Sequence, residues 1–192
     1  LWVVMSKINL NRTCVFPPPV TVVLVGLMGV GKTSIGKRLA ERLNMPFVDA
    51  DEEIEKASGL SIPDFFEKFG EKEFRKGEQR VIARLLRRQP CVVATGGGAF
   101  MSSETRGLIK KCAVSLWLNA DLDTLDTRLQ RRSGRPLLQT DNPRNTIKSL
   151  MDQRYPIYAE ADLMIETSNV SFEHALDSAC TAITKYFSSN YE

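Results

Sequence analysis

Gly26-Leu27-Met28-Gly29-Val30-Gly31-Lys32-Thr33 is the stretch whose reading decides the fold. Its spacing, G-x-x-x-x-G-K-[ST], is the P-loop pattern that cradles phosphate. The apolar run Val20–Val25 enters it, and Ile35, Leu39 and Leu43 follow it at helical spacing. A strand–loop–helix order of this kind lets glycine-rich backbone fold around an anion, with successive N–H groups pointing inward. The N-terminus of the helix adds a fixed partial positive charge. Lys32 can then reach the β- and γ-phosphates of a nucleoside triphosphate, and the Thr33 hydroxyl can hold Mg²⁺. The competing reading, a glycine-rich turn beside a surface lysine, leaves the flanking pattern unexplained.

The other short apolar runs are Phe47–Val48, Cys91–Ala94, Ala113–Leu118 and Leu163–Ile165. They alternate with helical patterns, which implies α/β architecture: a parallel sheet with helices on both faces, joined by right-handed crossovers. Ser61-Ile62-Pro63-Asp64 reads as a capping box with an early proline, opening a helix with Phe65, Phe66 and Phe69 that Gly70 breaks. A second helix carries Phe74, Val81, Ile82, Leu85 and Leu86 on one stripe. Further helices are expected over residues 121–130, 145–158 and from Phe172 to Phe187. Residues 131–142 are polar and turn-rich, and predict a mobile loop.

At 192 residues, with 43% hydrophobic and 26% charged content, the chain reads as one folded domain over residues 20–192. Pro17-Pro18-Pro19 should be extended and separates it from an N-terminal arm, residues 1–19. The net charge is +3 and the basic pairs are scattered, so composition gives no support for a nucleic-acid partner. No segment approaches the ~18 apolar residues of a membrane span. Leu1–Met5 is too short for a signal-peptide core. Cys14, Cys91, Cys112 and Cys180 lack metal-ligand spacing, and reduced thiols in a cytoplasmic protein are the simplest reading. Cys91 and Cys112 open apolar runs and are expected to be buried.

Asp49 and Asp51 follow the second apolar run, at the sheet edge where open α/β folds bind ligands. Phosphoryl transfer to a hydroxyl benefits from one carboxylate near the metal and one that accepts the hydroxyl proton. Helix capping explains the same residues equally well, and the two roles are compatible. The third run ends in Thr95-Gly96-Gly97-Gly98, with no aspartate to hold a metal, so metal work falls to Asp49, through water. Three glycines permit close backbone approach by a ligand, though a flexible turn also fits. Arg75, Arg135 and Arg154 are, on their own, ordinary surface charges. His174, the one histidine, has no visible partner.

Together these pieces resemble a known family. Gly26–Thr33, Asp49-Ala50-Asp51 with Ile54-Glu55, Gly70-Glu71, Phe74-Arg75, Glu78, Thr95–Gly98, Arg135-Pro136-Leu137-Leu138, and Arg154 with Tyr158 occur in the order and spacing of shikimate kinase, from about Thr21 to Phe187. The resemblance implies a P-loop NTPase of the nucleoside-monophosphate-kinase-like fold, with a five-stranded parallel sheet of order 2-3-1-4-5 and a lid at residues 131–142. It implies transfer of the ATP γ-phosphoryl to the 3-hydroxyl of shikimate, with Mg²⁺, by a monomer in aromatic amino-acid biosynthesis. Gly29, Val30, Gly31, Lys32, Thr33 and Ser34 would hold the ATP phosphates, with Thr33 on Mg²⁺ and Asp49 behind it. Asp51 would bind the shikimate hydroxyls and act as base. Arg75 and Arg154 would grip its carboxylate, with Gly96, Gly97 and Gly98 against the substrate. Arg135 would enter from the lid, and Arg128 would stack on adenine, near a loop at residues 167–170. Gluconate kinase would not explain two arginines beside Asp-x-Asp and a triple glycine. Adenylate kinase would require an Asp-Gly-[FY]-Pro-Arg segment that is absent here. An idle nucleotide-binding protein on this scaffold would be marked by loss of Lys32, Asp51 or Arg135, all of which are present.

Overall fold

A computed structural model describes residues 19–130 and 142–190. β1 (Thr21–Val25) is buried along its whole length, because strands lie on both sides of it and helices cover it. The remaining strands are β2 (Phe47–Asp49), β3 (Val92–Ala94), β4 (Ala113–Asn119) and β5 (Leu163–Glu166). All pairings are parallel and the order is β2-β3-β1-β4-β5, as the resemblance implies. Parallel strands buried on both faces read as continuous apolar runs, which is how the sequence presents them.

The helices are α1 (Lys32–Leu43), α2 (Ala50–Ser58), α3 (Ile62–Leu85), α4 (Ser103–Cys112), α5 (Leu122–Gln130), α6 (Pro143–Tyr158) and α7 (Phe172–Asn190). α1 and α7 pack on each other, α4 lies on β4, and α6 leans on α5 and on the short 3₁₀ turn Ala99–Met101. The expected cap at Ser61 is present. Its hydroxyl oxygen accepts from the Asp64 amide at 3.2 Å, while its O–H donates to the Asp64 carboxylate at 2.6 Å. Gly70 stands at φ 76°, ψ 172° inside α3, so two helical segments meet there at a bend. Phe66 folds back to stack on Phe74, ring centres 4.4 Å apart.

Two expectations need correction. Residues 99–112, for which the sequence reading named no element, hold the 3₁₀ turn and α4, capped by Ser102. Cys112 is exposed, because it ends α4 on the solvent side rather than starting β4; Cys91 is buried as expected. The arm up to residue 18 and lid residues 131–141, Arg135 and Cys14 included, lie outside the described residues. Asn142 is described, and its side chain caps α6 by accepting from the Asn145 amide at 3.1 Å.

α1 is held against the sheet by an absent side chain. A methyl group at Gly36 would stand 2.6 Å from the Phe47 ring and 3.0 Å from Leu24. Gly36→Ala should therefore lower stability by about 1–3 kcal/mol through overpacking. Gly107→Ala, mid-α4 with nothing within 4 Å, should raise it by about 0.5–1 kcal/mol. Urea midpoints of the two variants against the parent chain measure both.

Candidate active site

The loop after β1 ends at Gly31, which caps α1 in the left-handed region (φ 102°) with no side-chain cap. A residue with a Cβ is strained there, and no side chain at this position occupies the first amides of α1. Lys32 lies back over the loop, donating to the carbonyls of Gly26 (2.8 Å) and Leu27 (2.9 Å). The Thr33 hydroxyl donates to Asp49 Oδ2 at 2.9 Å. Asp49 Oδ1 accepts from the Asp51 amide at 3.0 Å, which caps α2. One carboxylate thus caps α2 and accepts from Thr33, and Asp51, in the first turn of α2, is not the capping residue.

Asp51 faces the end of β3, where the three glycines let charged side chains lie against backbone. A Cβ at Gly96 would fall 2.8 Å from Asp51 Oδ1 and 3.1 Å from Glu78 Oε1. One at Gly97 would stand 3.4 Å from Arg154 Nη1, and one at Gly98 would overlap the Arg75 guanidinium at 2.4–2.6 Å. The run Gly96-Gly97-Gly98 therefore receives four side chains, and a Cβ would crowd its neighbours at Gly96 and Gly98, while at Gly97 it would make only ordinary contact. Tyr158, fully buried, donates its hydroxyl to the Gly97 carbonyl and fixes this floor from below. Burial pushes its phenol up to about 12, so it remains a neutral donor.

Glu78 carries no role in the sequence reading, yet the structure makes it the keystone of the arginine side. It is 3% exposed and accepts from Arg75 Nη1 at 2.7 Å. Its Oε1 has no partner among the described residues. Burial raises its carboxyl above the usual range, against the pull of Arg75. The signal was there: Arg75 and Glu78 are three apart on one helix, the spacing of a surface ion pair, but period alone does not show which pairs are buried. Asp51 is likewise raised, first by burial, then by the Asp49 charge beside it, with Lys32 opposing.

Two cavities share the P-loop. One, of about 160 Å³, is lined by Lys32, Thr33, Asp49, Asp51, Thr95, Gly96 and Gly97 along with Gly29, Gly31 and Ser34. The other, of about 420 Å³, shares Gly29, Gly31 and Ser34 and runs between α1 and α7, past Val30, Arg128, Thr167 and Phe172. Arg128 donates to Thr167 O (2.7 Å), Thr167 Oγ1 (3.2 Å) and Val30 O (3.2 Å), which ties the end of α5 to the P-loop and to the loop after β5. Of the sequence-named residues, Gly29 to Ser34, Asp49, Asp51, Gly96, Gly97 and Arg128 line one cavity or the other, while Arg154 and Arg75 lie beside them against Gly97 and Gly98. Trp117 is core, with its ring edge-to-face against Tyr155.

Two cavities joined at a P-loop, on a sheet of order 2-3-1-4-5, define a P-loop phosphotransferase of the nucleoside-monophosphate-kinase-like class. The family model for shikimate kinase matches residues 28–184. The shikimate kinase of Bradyrhizobium diazoefficiens is 54% identical over 82% of this chain and 76% of its own length. That of Rhodopseudomonas palustris is 50% identical over 86% and 81%. A solved shikimate kinase from Acinetobacter baumannii, in complex with shikimate, superposes with a TM-score of 0.82 at 38% identity, covering 92% of this chain and 98% of the other. A gluconokinase from Sinorhizobium meliloti shares the fold (TM-score 0.55, 20% identity, over 90% and 98% of the two chains). The chain belongs to the shikimate kinase family, and it is a kinase.

The raised carboxyl of Asp51 has a consequence for stability. A folded-state value above the ordinary 3.8 means that the folded chain binds the proton more tightly than the unfolded one. Ionised Asp51 therefore costs stability at neutral pH. The cost fades as pH falls through the raised folded value and is gone below the ordinary one. Asp51→Asn should raise the melting temperature at pH 7, with the gain shrinking toward pH 4. Thermal melts of both proteins at the two pH values test this, and a gain that grew on acidification would contradict it.

Proposed function

We propose that this chain transfers the γ-phosphoryl group of ATP to the 3-hydroxyl of shikimate, forming shikimate 3-phosphate in chorismate and aromatic amino-acid biosynthesis. The observation that carries the reading is the meeting of the two cavities at the P-loop, with a buried carboxylate and two arginines on the acceptor side. Backbone amides of Gly29, Val30, Gly31, Lys32, Thr33 and Ser34 receive the phosphates, and Lys32 leaves the Gly26 and Leu27 carbonyls to meet them. The base and ribose occupy the larger cavity beside Arg128. The carboxylate of shikimate lies between Arg75 and Arg154, suited to the guanidinium fork, over Gly96, Gly97 and Gly98. Asp51 accepts the hydroxyl proton; burial raises its carboxyl above the ordinary value, which makes it a stronger base. Arg135, on the lid 131–142, neutralises charge on the phosphates once both substrates are bound.

The donor set fits Mg²⁺: a hydroxyl, Thr33, backed by a carboxylate, Asp49, both hard oxygens. When bound, the ion would offset phosphate charge and orient the γ-phosphoryl. We read the enzyme as a cytoplasmic monomer with small-molecule substrates alone.

A coupled ADP-release assay with ATP and Mg²⁺ against shikimate, quinate, gluconate and AMP tests the reading; turnover with gluconate or AMP in place of shikimate would overturn it. In that assay Arg75→Ala or Arg154→Ala should each raise the shikimate KM about 10- to 100-fold, since charged hydrogen bonds contribute roughly 1.5–3 kcal/mol. The ATP KM should stay put.

The two aspartates should separate. Asp51→Asn should lower kcat by about 10²–10⁴ while ATP still binds, as expected for loss of a general base. Asp49→Asn should shift the Mg²⁺ requirement upward. A metal dependence that moved with Asp51 and not with Asp49 would reverse the roles.

A further inference from the structure

Arg42 lies in the last turn of α1, away from both cavities. Its guanidinium reaches across to α7, donating to Glu173 at 2.7 Å and, through Nη1, to Asp177. Cys180 adds a third contact. Residues 173, 177 and 180 form one stripe of α7. Arg42 is only 20% exposed, whereas its two acidic partners are about 62–63% exposed. The arginine is therefore sunk between the helices rather than waving from the surface, where an isolated pair would contribute little.

Phe172 and Ala175, flanking Glu173 in sequence, line the 420 Å³ cavity, and Gly31, Ser34 and Ile35 form its opposite wall. The cavity is thus the wedge between the N-terminal ends of α1 and α7. Much of the α1–α7 contact is made by small or aliphatic side chains, with Leu39, Ala175, Leu176 and Ala179 all buried. Apolar burial is non-directional and lets one helix slide or roll on another. A guanidinium fork shared by two carboxylates on one stripe fixes both the rotation and the height of α7. Phe172, a large apolar side chain 41% exposed at the cavity rim, is held where a ligand would cover it.

We infer that Arg42 is a positioning residue for the phosphoryl donor: by clasping Glu173 and Asp177 it sets the width of the cavity that takes the nucleoside half of ATP, without touching the nucleotide. The inference rests on the reading of that cavity given under Proposed function. It separates two parts of one ligand, since the phosphates meet the P-loop and only the nucleoside meets the wall that Arg42 holds.

Calorimetric titration of the full chain with Mg²⁺-ATP and with Mg²⁺-triphosphate, which has no nucleoside, tests it, alongside steady-state kinetics. Arg42→Ala should weaken ATP binding about 3- to 10-fold, the scale of a partly buried ion-pair network. Triphosphate affinity, the shikimate KM and kcat at saturating ATP should change by less than about twofold. The double variant Glu173→Ala/Asp177→Ala removes the same acceptors from two exposed positions and should reproduce the effect, so the test survives a folding failure of Arg42→Ala. Arg42→Lys, which keeps the charge but not the fork, should fall in between. Unchanged ATP affinity in both Arg42→Ala and the double variant would overturn the inference. So would parallel weakening of ATP, triphosphate and shikimate, which would mark general loosening. Parent protein binding ATP no more tightly than triphosphate would remove the nucleoside from this cavity, a different failure that takes the inference with it.

Discussion

Gathering titratable groups of both signs, one buried and three half-buried, beside bare backbone is the constraint on which this structure turns. Asp51 and Glu78 meet across the place where Gly96 has no side chain, and Arg75 and Arg154 lie against Gly98 and Gly97. Each charge is costly out of water and tolerable only because the opposite sign is near. The glycines let the groups come close enough, β3 holds the glycines, and Tyr158 holds the middle one. The sheet order then delivers β2, with Asp49 and the start of α2, to one side of β3 and the P-loop to the other.

The P-loop side obeys a complementary rule. There Gly31 offers α1 no side-chain cap, and Lys32 and Thr33 rest on the loop's own carbonyls and on Asp49. The β3 side gathers charged side chains, and the P-loop side gathers glycines and donors. A phosphate dianion and a carboxylated alcohol are complementary to that division.

Much of this was legible in the sequence. The P-loop, the strand runs and the Ser61 cap are local patterns, each set by a few neighbouring residues, and they came out at or within a residue or two of where they were read. The sheet order came through resemblance, because periodicity does not record which strands are neighbours. What stayed illegible was long-range. Asp49 as a joint cap and Thr33 acceptor depends on a contact across 16 residues. Glu78 looked like half of an ordinary i, i+3 pair until its burial was known. The exposure of Cys112 depends on a helix that ends at it, just before β4, and the sequence pattern shows no sign of that helix. The Arg42 clasp joins residues 131 and 135 positions apart and has no local signature at all.

The bend in α3 reaches beyond geometry. In a straight helix Phe66 and Phe74 would sit roughly 12 Å apart along the axis, eight residues at 1.5 Å each. Here their rings stack at 4.4 Å because Gly70 turns the chain back. The segment before the bend therefore answers to the residues after it rather than to its own helical turns. Over evolutionary time, changes at Phe65 and Phe66 should track changes at Phe74, and the usual three- and four-residue rhythm of helix covariation should fall silent across Gly70. An engineer grafting this element onto another scaffold would have to carry the glycine and both sides of its aromatic stack as one inherited unit.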